Sequence, residues 1–159
     1  VAGGAVLARI GAVLGDDGRY HLLVCGWPEN SPKGHATWPG SVVYHTIADN
    51  LYGPYEISDT IGKGHNPEVY RLSDGRYVLY VINGYYLADR IEGPWTYGKF
   101  EFHNRDRKII EGLSNLSFTR REDGSFLMVD RGGGIWFSKT GLSPYNQVTE
   151  KRVYPAVEG

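Results

Sequence analysis

Apolar residues along this chain come in short alternating runs, and each run ends at a Gly, Pro or Asp turn signal. That pattern predicts β-strands at residues 5–14, 19–27 and 41–49, with a short piece after Pro54. It continues at 66–72, 76–83, 85–90 and 97–102, then at 115–121, 125–130, 135–140 and 146–153. No stretch carries a convincing 3.6-residue period, so no long helix is predicted.

The runs repeat. Asp17-Gly18-Arg19-Tyr20 recurs as Asp74-Gly75-Arg76-Tyr77 and as Asp123-Gly124-Ser125-Phe126. An Asp-Gly pair between alternating runs marks a tight hairpin, because glycine accepts a positive φ. A second motif follows each copy, as Gly53-Pro54-Tyr55, Gly93-Pro94-Trp95 and Ser143-Pro144-Tyr145. The distance from Asp to Pro is 20 residues in the second copy, 21 in the third and 37 in the first.

Four short strands per copy, repeated, predict an all-β fold of the β-propeller kind with about three four-stranded blades. The expected blades are residues 5–60, 61–104 and 105–153 of a single propeller segment, 1–159. An all-β sandwich is the alternative. Propellers usually close with about four to eight blades. Three therefore predict open blade faces, covered by further blades of a longer protein or by an oligomer.

Lys and Arg number 17 against 18 Asp and Glu, which argues against a general nucleic-acid or membrane-surface binder. The 12 Tyr and 4 Trp fit strand faces, and equally the faces of sugar rings. The single cysteine, Cys25, excludes an internal disulfide. The first residues lack the basic region of a signal peptide and an initiating Met, which suits a mature form or a fragment.

Strand direction alternates within a blade, so the starts of first strands and the ends of second strands share one end. The extra length of the first copy falls there, in the loop 28–40 that contains Trp38. Long loops on rigid scaffolds tend to carry function. His65 and Asn66 open the second innermost strand; Asn115 and Arg9 take the equivalent places in the other copies. Arg9, in an otherwise apolar run, calls for a partner or an anionic ligand. His45 lies just inside a third strand, Arg131 follows a second strand, and Glu111 precedes the last innermost strand. Histidines and arginines with few acids suit proton abstraction beside a uronate whose charge is neutralised. His21, Cys25 and His35 offer donors suited to zinc, at a spacing that matches no strong pattern.

Val43-Tyr44-His45-Thr46-Ile47-Ala48-Asp49 and Gly64-His65-Asn66-Pro67-Glu68 resemble motifs of the propeller polysaccharide lyases that cut ulvan, and of the related rhamnosyl-glucuronate lyases. The resemblance spans about residues 15–159 and implies that His45 and His65 are active-site histidines. It also implies that Arg131 binds the uronate carboxylate. Asn115 stands where those families have a tyrosine. The blade motifs more widely resemble family 43 glycoside hydrolases, which would make Glu111, in Glu111-Gly112-Leu113, the general acid. The partner carboxylate of that pair is replaced by Asn66.

The expected activity is therefore β-elimination on a uronic-acid-containing, sulfated polysaccharide. His45 and His65 are the catalytic pair, facing one cleft. One of the two removes the proton, and the other histidine or a tyrosine, Tyr85 or Tyr86, assists the leaving oxygen; Arg131, Asn66, Asn115, Arg9, Trp38 and Tyr86 bind substrate. The alternatives are a family 43-like hydrolase and a non-catalytic carbohydrate-binding module. No cofactor is required, although a structural zinc or calcium is compatible with the donors. The expected partners are a polysaccharide and further blades, with no nucleic acid or membrane. A secreted or periplasmic location follows from that activity.

Overall fold

The structure is a computed structural model and describes residues 10–33, 35–103, 116–130 and 134–148. Among these residues it is all-β apart from a kinked 3-10 segment at His35–Gly40. The first sheet holds β1 (Ile10–Leu14), β2 (Tyr20–Gly26), β3 (Val42–Ala48) and β4 (Glu56–Lys63) in sequential order. The second holds β5 (Glu68–Arg71), β6 (Tyr77–Val81), β7 (Gly84–Ala88) and β8 (Thr96–Lys99), also in order. After β9 (Phe102–His103) comes the third, with β10 (Ser117–Arg120), β11 (Phe126–Val129), β12 (Ile135–Ser138) and β13 (Tyr145–Gln147). These are three consecutive blades of a β-propeller.

The Asp-Gly repeat owes its shape to local hydrogen bonding. Gly18, Gly75 and Gly124 take φ of 76°, 92° and 81°, a region that side chains with a Cβ avoid. In each turn the Asp Oδ1 accepts from the backbone N–H two residues on: Arg19, Arg76 and Ser125, at 2.9, 3.1 and 3.0 Å. The ladder then resumes as Gly15 N–H to Arg19 O, Leu72 N–H to Arg76 O and Arg121 N–H to Ser125 O.

Blades stack through two apolar layers. Leu23 and Val43 of the first blade pack against Tyr77, Leu79, Val81 and Tyr86 of the second. Between the second and third blades, Tyr80, Phe118, Phe126, Met128, Trp136 and Tyr145 are buried together. The rings of Tyr80 and Phe118 lie parallel at 3.7 Å. The inner strands approach closely as well, since a Cβ at Gly11 would stand 3.0 Å from Val69 Cγ1.

Two elements depart from the expected pattern. The piece after Pro54 is the eight-residue strand β4, reaching Lys63 rather than stopping near residue 60. Its residues are mostly exposed, so no apolar alternation announces it. Phe102–His103 does not extend the second blade. It pairs in parallel with β13, Tyr145 opposite Phe102, and adds a fifth strand to the third sheet. No helix among the described residues is long and apolar enough to cross a membrane.

Candidate functional site

A cleft of about 760 Å³ opens where the ends of the first two blades meet. Trp38 and Pro39 come from the long loop of the first blade, which carries the 3-10 helix His35–Gly40. Lys63, Gly64 and His65 form the passage between the blades. Ile82, Asn83, Tyr86 and Tyr97 line the second-blade side. This is the end of the blades that strand direction singled out.

The long loop is held by aromatic packing. Trp27 donates its indole N–H to Thr37 O at 3.1 Å and lies 4.8 Å from the Trp38 ring. Trp38 in turn lies 5.1 Å from the imidazole of His65. On the opposite wall, the Tyr86 hydroxyl donates to Lys63 O at 2.8 Å, and the Tyr86 and Tyr97 rings meet edge to face at 5.2 Å. Gly62 is required behind this wall, because a Cβ there would collide with the Tyr86 hydroxyl.

Ser41 sets the state of His65. Its hydroxyl lies 2.7 Å from Trp38 O and 3.0 Å from Gly64 O, so its one hydrogen is committed to these carbonyls. The 3.4 Å contact between Ser41 Oγ and His65 Nδ1 is then a hydrogen bond only with the ring as donor. With the hydrogen on Nδ1, Nε2 keeps its lone pair as an acceptor. Burial also pushes the His65 pKa below the ordinary imidazole value, which favours this neutral form.

His45 lies elsewhere. It is fully buried in β3, opposite Leu23 of β2 and Asp59 of β4. Its Nε2 is 2.7 Å from Nδ1 of His21, and its Nδ1 is 3.3 Å from Asp59 Oδ1. Burial, foremost, lowers its pKa, with Asp59 opposing. The expected meeting of His45 and His65 in one cleft is not what the structure shows. His45 belongs to the layer between blades, among residues such as Leu23 and Val43 that face the second blade. The alternation His21-Leu23-Cys25 and Val43-His45-Ile47, all buried, marks both histidines as inward-facing.

Trp38 and Tyr86 line the cleft. The Tyr86 hydroxyl is already engaged with a backbone carbonyl, and Tyr85 lies apart, packed against Phe100 at 5.9 Å. Asn66 follows His65 with φ of 55° and is not among the lining residues. Arg9, Glu111, Asn115 and Arg131 lie outside the described residues. Lys63, Tyr97 and Asn83 were not expected in the site. Tyr97, two residues past Gly93-Pro94-Trp95, carried the only sequence signal, an aromatic after a turn.

The three proposed zinc donors do not form one site. Cys25 is buried at the far end of β2 from His21, with its thiol 3.8 Å from Gly64 O. The side chain of His35 lies outside the described residues.

No family model matches the chain, and no curated protein does. Solved structures do. A family 43 glycoside hydrolase from Bacillus licheniformis aligns at a TM-score of 0.57 and 16% identity, over 87% of this chain and 38% of its own. An endo-1,5-α-L-arabinanase from Thermotoga petrophila aligns at 0.57 and 17%, over 86% and 38%. A xylan β-1,4-xylosidase from Bacillus halodurans aligns at 0.51 and 17%, over 95% and 33%. The likeness is one of fold. It accords with the wider resemblance to family 43 propellers rather than with the lyase motifs. This chain spans less than two-fifths of each of these three structures.

Proposed function

We propose that this chain is a three-blade portion of a carbohydrate-active propeller of the glycoside hydrolase kind. The observation that carries the reading is the cleft between the first two blades, walled by the aromatic rings of Trp38, Tyr86 and Tyr97. Aromatic faces suit the apolar faces of sugar rings. Between them, the Nε2 of a neutral His65 accepts a hydrogen bond from a sugar hydroxyl. The fold shared with family 43 enzymes supports hydrolysis over elimination.

Hydrolysis of a glycosidic bond needs two carboxyl groups flanking it. Glu111 is the proposed general acid, giving its proton to the leaving oxygen. Among the described residues no carboxylate lines the cleft, so the second carboxyl group is assigned to residues outside them or to further blades. Those blades also cover the open faces of the present three, because each blade face is an apolar layer that stacks on its neighbour.

A specific observation keeps elimination as the second reading. The described cleft pairs an unprotonated imidazole, His65, with a cation, Lys63, and no acid. His65 would take the proton beside a uronate whose carboxylate Lys63 and Arg131 neutralise.

One assay separates the readings. The protein is incubated with arabinan, xylan and a uronate-containing sulfated polysaccharide, and both reducing ends and ultraviolet absorbance are followed. Reducing ends without an absorbing product, abolished in Glu111→Gln, are expected. An absorbing unsaturated uronate would replace hydrolysis by elimination. Binding without either product would leave a non-catalytic module.

A further inference from the structure

At the end of the blades opposite the cleft, three donor groups from two blades converge. Asp17 lies in the first Asp-Gly turn, His21 follows in β2, and Glu92 sits in the turn between β7 and β8 of the second blade. One donor atom from each lies within 4.8 Å of the other two. Asp17 and Glu92 border a cavity of about 270 Å³ that Asp16, Tyr77, Arg90 and Ile91 also line.

Three observations distinguish this cluster from surface acids that happen to be neighbours. First, the imidazole is fully buried and still turns Nε2 toward Asp17 Oδ1, at 3.1 Å. Second, a glycine leaves the space beside the donors open: a Cβ at Gly15 would stand 2.6 Å from both Asp17 Oδ1 and His21 Nε2.

The third is a count of hydrogens. Two neutral imidazoles carry two N–H groups. They face three contacts: Asp17 with His21, His21 with His45, and His45 with Asp59. If His21 donates from Nε2 to Asp17, then His45 must donate from Nε2 to His21. The buried His45 Nδ1 is then left as a bare lone pair 3.3 Å from a carboxylate. A cation on His21 Nε2 reverses the chain. His21 Nδ1–H then donates to His45, and His45 Nδ1–H is directed to Asp59. A metal-bound imidazole backed by a carboxylate-linked partner is how such ligands are commonly oriented.

We propose that Asp17, His21 and Glu92 bind a divalent transition-metal cation of the zinc class, bridging the first and second blades. Two carboxylates balance its charge, and an imidazole nitrogen favours zinc over calcium, which takes oxygen ligands. Tetrahedral ligands at about 2.0–2.1 Å stand roughly 3.4 Å apart. The Asp17–His21 separation of 3.1 Å is close to that, and Glu92, on a surface turn, has only to swing in from within 4.8 Å. Asp16 stays outside the set, held by both terminal nitrogens of Arg71 at 3.0 Å. Arg90, which contacts Glu92 Oε2 at 3.3 Å, would be displaced or share the carboxylate.

The test strips the protein with a chelator, restores zinc at equimolar concentration, and measures retained metal and melting temperature. One zinc per chain and a higher melting temperature are expected. Calcium should give neither. Glu92→Gln should melt like the stripped parent and bind zinc at least tenfold more weakly. Asp59→Asn, which touches no metal, should weaken zinc by about tenfold through the imidazole pair. No retained zinc, or equal retention in Glu92→Gln, overturns the proposal. So does a stripped protein whose melting temperature zinc leaves unchanged.

Discussion

The indole of Trp38 packs 5.1 Å from the imidazole of His65 on one side and 4.8 Å from the buried indole of Trp27 on the other. This run of rings carries the long loop of the first blade from the core to the cleft. Aromatic pairs contribute about 0.5–1.5 kcal/mol each beyond area burial. Trp38→Ala is therefore expected to weaken oligosaccharide binding by about tenfold, with only a few degrees lost in melting temperature. Calorimetric titration with arabino- and xylo-oligosaccharides reads the first effect. Unchanged affinity would remove Trp38 from the binding wall.

The state of His65 makes stability depend on pH with a definite sign. Burial lowers its folded pKa below the ordinary value of 6.5. The unfolded chain therefore takes up the proton first as pH falls. Stability is full above about pH 7, is lost as pH drops through the unfolded pKa, and levels off below the folded one. The melting temperature should fall as pH drops below about 7. His65→Gln, which cannot titrate, should lose part of that slope. An identical slope in the variant would place the dependence elsewhere.

Much of this architecture could be read from residue order, and the exceptions share a physical cause. The three Asp-Gly turns were legible because both residues act locally: the glycine supplies its φ and the aspartate bonds two residues on. β4 was not, because an outer strand facing solvent has no alternation to show. Phe102–His103 was not, because its partner, β13, lies more than forty residues away in sequence and the pairing is parallel. At the site, Trp38 and His65 were recognised from loop length and strand direction, both matters of topology. His45 was put in the cleft by its place just inside a third strand and by the resemblance of its motif to a lyase strand. Its register opposite Leu23, on the face that carries Val43 and Ile47, already marked it as inward-facing.

The seam between the second and third blades carries one buried polar group on which two hydroxyls converge. Tyr80 donates to Gly141 O at 2.6 Å, while the Tyr145 hydroxyl lies 3.0 Å from both that carbonyl and the Tyr80 oxygen. Either tyrosine alone can still serve the carbonyl. Tyr80→Phe and Tyr145→Phe should each cost about 1 kcal/mol, or about 2–4 °C for a chain of this size. The double variant leaves Gly141 O without either donor and should cost more than the sum. A double-mutant cycle by chemical denaturation measures the excess. Strict additivity would show that a third group takes over.

The sharpest test of the site separates His65 from His45. His45 is fully buried, and its ring partners are His21 and Asp59. Its removal leaves His21 Nδ1 without that partner inside the blade seam. His45→Ala should therefore cost about 1–3 kcal/mol of stability, seen as a fall of several degrees in melting temperature. Turnover per folded molecule should stay close to that of the parent. His65 has the opposite profile. It borders the cleft, half-buried, and its contacts to Ser41 and Trp38 are modest. His65→Ala should melt near the parent. Turnover should fall modestly if His65 only binds a sugar hydroxyl, and by about 10²–10⁴-fold if it is the base of an elimination. Rates are compared at equal concentrations of folded protein, measured by denaturation midpoint and circular dichroism. Equal losses of turnover in both variants would mean that the two rings act on one substrate after all, across a seam that opens in solution.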